Sequence, residues 1–277
     1  MRGQAPDRYA PCTVEPAARA DDLALALELA DAASVVTMAA FGGRHFVDLK
    51  SDATPVTEVD HATERAIRDR IAQERPGDGV LGEELGHDPG SNGRVWVIDP
   101  IDGTKMFAEG IPLWSTLIAL RDGDEVVVAV ADAPALGERF RAVRGGGAWF
   151  GDDRVEVSAI DTIGESLLLH AALEEFARDG GTGVDALVRL AGRCRGTRGI
   201  GDGWAHLLVA RGAAEALVEQ GPCFEWDWAA TGLIVEEAGG RVTRLEGGSP
   251  RPGGHLLVSN GRVDDQVRAA LADTGAG

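Results

Sequence analysis

The sequence predicts an α/β protein of alternating helical and sheet layers. Three observations carry that prediction. Short apolar runs bounded by turn residues, such as Val95-Trp96-Val97-Ile98, read as buried strands. They alternate along the chain with stretches of helical spacing, such as the Ala- and Leu-rich segment from Asp21 to about Phe41. Two further runs, Trp114–Leu120 and Glu125–Val130, flank Arg121-Asp122-Gly123-Asp124, a strong hairpin signal.

Taken in order, residues 1–18 read as a flexible, proline-bearing tail. The first helix ends at Gly42-Gly43. A short extended segment follows around Val47–Lys50, then a turn at Ser51–Pro55. Thr57 caps a second helix running to about Gln73, and Asp60, three residues on, completes a capping interaction. After the turn Pro76-Gly77-Asp78-Gly79, Val80–Gly82 reads as a short strand ending at Glu83-Glu84. Gly86–Gly93 is a polar loop, and the Val95–Ile98 strand stops in Asp99-Pro100-Ile101-Asp102-Gly103-Thr104. Arg139–Val143 is a third strand beyond the hairpin, and Gly145-Gly146-Gly147 a turn. No helix start with Lys and Ser/Thr follows those glycines, as a nucleotide-binding loop requires.

A composition change near residue 150 divides the chain into subdomains over 19–150 and 151–277. In the second, helices are expected at Val184–Ala191, Trp204–Gly212, Trp228–Ala238 and Asp264–Leu271. Strands are expected at Ala214–Val218, Arg241–Arg244 and His255–Val258.

The bulk numbers bound the function. With 277 residues the chain buries a sizeable core. Its formal charge of -18 disfavours nucleic acid and anionic membrane as partners, and no basic patch with interleaved aromatics is present. Three widely spaced cysteines, Cys12, Cys194 and Cys223, make neither a zinc site nor a disulfide framework and fit a reducing compartment. No signal peptide or stretch approaching a membrane span is read, so the expected location is cytoplasmic.

The informative pattern is where carboxylates fall. Glu83-Glu84 follow one apolar run, Asp99 and Asp102 another, and Asp227 starts a helix. Such positions converge on one edge of a sheet and supply the oxygen ligands that magnesium prefers. Phosphoryl transfer needs cations to offset phosphoryl charge, so the residues suit that chemistry. The same residues also fit ordinary roles: Asp-Pro and Asp-Gly-Thr are common turns, and an acid near a helix start favours the dipole.

Four segments in order resemble the inositol monophosphatase family: Pro55–Asp60, Gly82-Glu83-Glu84, Trp96–Thr104, and Trp226–Ala230 with Ile234–Gly240. The resemblance covers roughly residues 21–270. It implies a layered α/β/α/β/α sandwich, two or three Mg2+ ions per site, a homodimer, and in-line attack of an activated water on a small-molecule phosphate ester. By position it implies metal roles for Glu83, Asp99, Asp102, Asp227 and the Ile101 carbonyl. Asp60 and Thr104 would orient the water, with Glu83 also catalytic, and the Gly103 and Thr104 amides would contact phosphate.

Within the family, Pro112–Leu120, Ala133–Gly137 and Arg198–Asp202 resemble the histidinol-phosphatase branch, which implies histidinol phosphate as substrate and Asp202 as a substrate ligand. Asp202 equally fits a helix cap. Glu109, Glu225 and the Gly-Trp-Ala-His that follows Asp202 depart from the branch. Glu109, Asp202 and Glu225 are expected to form an acidic rim for a cationic amine, with Trp204 or Trp226 stacking on a planar group. A nucleotide-like, aminosugar or inositol phosphate is the alternative substrate, and a non-catalytic ligand-binding module the alternative class. His206 is a candidate for the pocket wall.

Overall fold

The computed structural model describes residues 19–43, 48–49, 55–178 and 182–273. The expected tail over 1–18, with Cys12, and the turn residues 51–54 lie outside that set. Among the described residues the chain forms five layers. The outermost is a pair of helices, α1 (Ala20–Ala40) and α2 (Glu58–Glu74). They are joined through a two-stranded antiparallel pair, β1 (Asp48–Leu49) with β2 (Pro55–Val56).

The next layer is an eight-stranded sheet. Its strands are β3 (Gly79–Gly82), β4 (Gly86–Asp88), β5 (Arg94–Asp102), β6 (Ser115–Asp122), β7 (Glu125–Ala133), β8 (Glu138–Val143), β9 (Gly147–Phe150) and β10 (Asp153–Val155). Their spatial order is β10-β9-β8-β7-β6-β5-β3-β4. A short helix, α3 (Thr104–Ala108), leaves the end of β5. The second sheet has β11 (Leu167–His170), β12 (Gly196–Gly199), β13 (Ala216–Cys223), β14 (Arg241–Arg244) and β15 (Gly254–Ser259), in the order β12-β11-β13-β15-β14. Helices α6 (Asp202–Ala210) and α7 (Glu225–Glu237) fill the space between the sheets. Helices α4 (Leu173–Ala177), α5 (Thr182–Ala191) and α8 (Asp264–Ala272) cover the far face.

Strand alternation explains the layering. Along β5, Trp96 and Ile98 point to α1 and α2, where Leu25, Leu29, Ile67 and Ile71 meet them. Val95 and Val97 point the other way, toward Ala205, Leu233 and Ile234 of α6 and α7. The second sheet repeats the rule: Leu169, Leu217 and Val258 face the middle helices, while Leu168, Val218 and Leu257 face α5 and α8. Each fully buried Leu or Ile contributes about 1.5–3 kcal/mol, so a slip of one residue along any central strand is strongly disfavoured.

The structure departs from the sequence reading at weakly patterned segments. β4 is fully exposed, and β12 reads Gly-Thr-Arg-Gly; neither has an apolar period, and both exist through backbone pairing with β3 and β11. β9, β10, β11, α3 and α4 were likewise not expected, being five residues or fewer. The expectation that no stretch approaches a membrane span is corrected. By length and composition α1, with an 18-residue stretch of mean hydropathy 1.6, would reach across one. In the fold its Leu25, Ala26, Leu29, Ala30 and Ala33 are core residues.

Candidate active site

α2 is fixed at its start by a reciprocal capping box. The Thr57 hydroxyl accepts from Asp60 N (3.4 Å), while Asp60 Oδ2 accepts from Thr57 N (2.8 Å) and Thr57 Oγ1 (2.5 Å). That leaves Asp60 Oδ1 for Thr104 Oγ1, 3.2 Å away across 44 residues of sequence. Thr104 Oγ1 also stands 3.0 Å from the Ile101 carbonyl. Burial pushes the Asp60 carboxyl above its usual range, and the Glu83 charge adds to this against the bonds from Thr57 and Thr104.

One turn further along α2, Glu64 is completely buried. Its carboxylate accepts from Glu84 N (2.7 Å), Leu85 N (3.2 Å) and Arg68 Nε (2.7 Å), and so ties down the turn that carries Glu83. A Cβ on Gly82 would lie 1.9 Å from Glu64 Oε1, so the strand end must be glycine. Parallel pairing then puts Gly82 opposite Ile98, and Glu83 N donates to the Ile98 carbonyl (3.2 Å), which brings Glu83 beside Asp99.

Asp99 and Asp102 are three residues apart and on a regular strand would face opposite ways. β5 is bulged between them: Asp99 pairs with Leu117 and Asp102 with Ser115, three residues against two. The extra residue returns Asp102 to the face that Asp99 occupies. There Asp102 Oδ2 accepts from Gly203 N (2.6 Å) and Ser115 Oγ (3.2 Å), and Asp99 Oδ1 from Ile101 N (3.0 Å). Gly103 follows at φ 86, a left-handed conformation suited to glycine. A Cβ there would stand 3.1 Å from the Leu113 carbonyl and 3.4 Å from Asp202 Oδ2. Asp227 enters from α7, where its Oδ2 accepts from Phe224 N (2.6 Å); that bond starts the helix three residues before the expected Trp228.

These residues line one cavity of about 750 Å3, with Glu83, Asp99, Ile101, Asp102, Gly103, Thr104 and Asp227 along one side. Burial first, then mutual repulsion, pushes three of the carboxyls well above their usual range. Asp99 is raised by Glu83, Asp102 and Asp227; Asp102 by Asp202 and Asp227; Asp227 by Glu83 and Glu219, against its bond from Phe224 N. Among the described residues, none of these three aspartates is ion-paired to Lys, Arg or His. No three acidic, His or Cys side chains there stand in a finished coordination cage either. The donor set is nonetheless all oxygen, buried and mutually repelling, which fits hard divalent cations. Burial, then the charges of Glu219, Asp227, Asp102 and Asp202, push the Cys223 thiol up, so it offers no thiolate nucleophile.

The rest of the lining comes from the second sheet and the middle helices, and it abuts the acidic edge at Asp202 and Gly203. Asp202 is the one non-glycine residue at positive φ (61°) among the described residues. Its carboxyl is pushed up to about 6 by burial and the Glu219 charge, with His206 and Lys105 opposing. Glu219 Oε1 accepts from Asp202 N (3.3 Å). Burial raises the Glu219 carboxyl, yet the bond and charge from His206 outweigh it and hold the group below its usual range.

Of the expected substrate residues, only Asp202 lines the cavity. The acidic rim is corrected. Glu225 pairs with Arg121 (3.0 Å), and Glu109 closes α3 in an exposed position. Trp204 donates to Glu138 Oε2 (3.1 Å) under the Arg211 guanidinium, and Trp226 stacks on Phe224 at 5.1 Å. Glu219 and Glu64 were not singled out from the sequence. Both obey rules already in use: Glu219 ends the apolar run Ala216-Leu217-Val218, and Glu64 lies four residues from Asp60 on one helix face.

Comparison with known proteins agrees. The inositol monophosphatase family matches residues 19–274. The histidinol-phosphatase of Mycobacterium tuberculosis is 40% identical over 257 residues, covering 91% of this chain and 98% of that protein. The histidinol-phosphatase of Chlorobaculum parvum is 43% identical over 256 residues, covering 91% and 97%. The crystal structure of the extragenic suppressor protein suhB from Bartonella henselae superposes with a TM-score of 0.85 at 29% identity, over 91% of this chain and 99% of that one. The family is generally metal-dependent. The chain belongs to the inositol monophosphatase family and is a phosphoric monoester hydrolase.

Proposed function

We propose that this hydrolase is magnesium-dependent and converts histidinol phosphate to histidinol and phosphate. The observation that carries the reading is one cavity that joins an all-oxygen edge to two further buried acids, Asp202 and Glu219. A phosphate end with its cations suits the first group and an ammonium end the second. The names of the two relatives point the same way.

Glu83, Asp99, the Ile101 carbonyl, Asp102 and Asp227 would hold two or three Mg2+ ions. When bound, magnesium offsets phosphoryl charge and lowers the pKa of water. The Asp60–Thr104 pair aims the attacking water: Thr104 Oγ1 accepts one of its protons while donating its own to Asp60 Oδ1. The Gly103 and Thr104 amides meet the phosphate oxygens, which the bare Gly103 lets approach closely. Asp202 receives the substrate amine. The homodimer and the cytosolic location belong to the same reading, the first supported by the family likeness and the second by the scattered thiols.

A second reading has its own support. Among the described residues no Trp, Phe or Tyr lines the cavity, which leaves few stacking faces for a planar ring and favours an aminosugar or cyclitol phosphate. The test is phosphate release by metal-free protein, with and without added Mg2+, on histidinol phosphate, inositol 1-phosphate and an aminosugar phosphate. Magnesium-dependent preference for histidinol phosphate is expected. Preference for another ester selects the second reading, and activity indifferent to Mg2+ overturns the metal assignment.

A further inference from the structure

His206 sits in the middle of α6 at 1% exposure, with both ring nitrogens engaged by protein. Nδ1 is 2.8 Å from Thr231 Oγ1, and Nε2 is 3.0 Å from Glu219 Oε2. Thr231 Oγ1 in turn lies 3.1 Å from the Asp227 carbonyl. Counting protons along this chain fixes its Nε2 end. Thr231 has one hydroxyl proton, which goes to the Asp227 carbonyl or to Nδ1, so either form of Nδ1 is satisfied. At the far end, bare Nε2 against a bare carboxylate would set two lone pairs 3.0 Å apart in a buried site. One proton therefore lies between them. Glu219 already takes the Asp202 N–H on its other oxygen, which favours the Glu219 carboxylate with Nε2 as the donor to it. Asp202 on the same helix and Glu219 on β13 are the acidic groups it acts on.

We propose that His206 is a positioning residue for substrate discrimination: it binds the recognition wall to α7 and offsets the charge of Glu219, leaving Asp202 as the unpaired acid facing the substrate. The inference rests on the reading that this wall receives the organic half of the ester. Three elements meet at this one ring: α6 with Asp202, β13 with Glu219, and α7 with Asp227. Loss of the ring frees Glu219 to turn and leaves a second negative charge on the wall. A cationic ester and a neutral polyol ester respond differently to that change, whereas a purely structural defect weakens both alike.

The first measurement is the 15N spectrum of His206 in the intact protein, assigned by its loss in His206→Gln. A protonated Nε2 supports the proton count, and an unprotonated Nε2 overturns it. The second is the ratio of kcat/KM for histidinol phosphate to that for inositol 1-phosphate, in His206→Phe, His206→Gln and Asp202→Asn. A change in that ratio of about 10-fold or more in the His206 variants, falling mainly on KM, is expected for a charge-assisted contact. If Asp202→Asn moves the ratio and neither His206 variant does, the inference is overturned while the recognition reading stands. If none of the three moves it, both fall.

Discussion

The two sheets contribute to the cavity in different ways. The eight-stranded sheet and the start of α3 supply Glu83, Asp99, Ile101, Asp102 and Thr104, with Asp60 of α2 behind Thr104, and they are anchored by backbone pairing, a capping box or a bulge. The five-stranded sheet and α6 supply Asp202, His206 and Glu219, held by side-chain bonds to one another. Backbone-anchored groups keep their places when a neighbour is replaced; a side-chain network does not. On the proposed reading chemistry is built on the stiff side and recognition on the adaptable side, a division that lets substrate preference change without rebuilding the reacting centre.

The sharpest way to break this comparison is Asp102→Asn. On the stiff side it should lower kcat roughly 10³-fold, in the range of losing a major electrostatic contact, as read by steady-state phosphate release. The same variant should melt higher than wild type when metal-free, because it removes a buried carboxylate repelled by Asp202 and Asp227. Thr104→Val should lower kcat about 10²-fold with KM little changed, the mark of a group that acts on the water and not on the ester. On the adaptable side, Asp202→Asn should raise KM for histidinol phosphate about 10-fold and change kcat much less. A loss of kcat as large as that of Thr104→Val would erase the distinction between the two sides.

The smallest effect is the pH dependence of stability. Asp99, Asp102 and Asp227 have folded carboxyls well above their ordinary values, and Asp202 one at about 6. A raised carboxyl contributes stability while protonated and loses it as pH rises through its folded value. The metal-free protein should therefore melt higher at pH 5 than at pH 8, by about 2–4 °C for each kcal/mol involved. Saturating Mg2+ should raise the melting temperature at pH 8 more than at pH 5, because cation binding needs the deprotonated groups. A calorimetric scan at the two pH values, with and without metal, checks both signs.

How much was legible in the sequence follows the same division. The central strands were readable because alternation and turn residues agree, as at Val95–Ile98, and the Thr57–Asp60 box because its spacing is local. Asp99, Asp102 and Asp227 stood out as carboxylates after apolar runs or at a helix start. The adaptable wall was hidden for a physical reason. Whether Glu109, Glu225 or Trp204 faces the cavity depends on long-range partners, namely Arg121 for Glu225 and Glu138 for Trp204, and no local pattern announces them. Glu64 was missed because its partners, the amides of Glu84 and Leu85, are 20 and 21 residues away.

The bulge in β5 carries a consequence for how this chain tolerates change. Pro100 and Ile101 occupy the stretch where three residues on β5 span two on β6. Replacing either side chain leaves that count intact. Removing one residue leaves two against two: Asp102 stays on its face, but the bulge is lost and the two carboxylates change their spacing. Ile101 is fully buried with Phe107 and Trp114, so its exchanges should be confined to apolar residues, and a single-residue deletion should keep the strand pairing while lowering phosphate release.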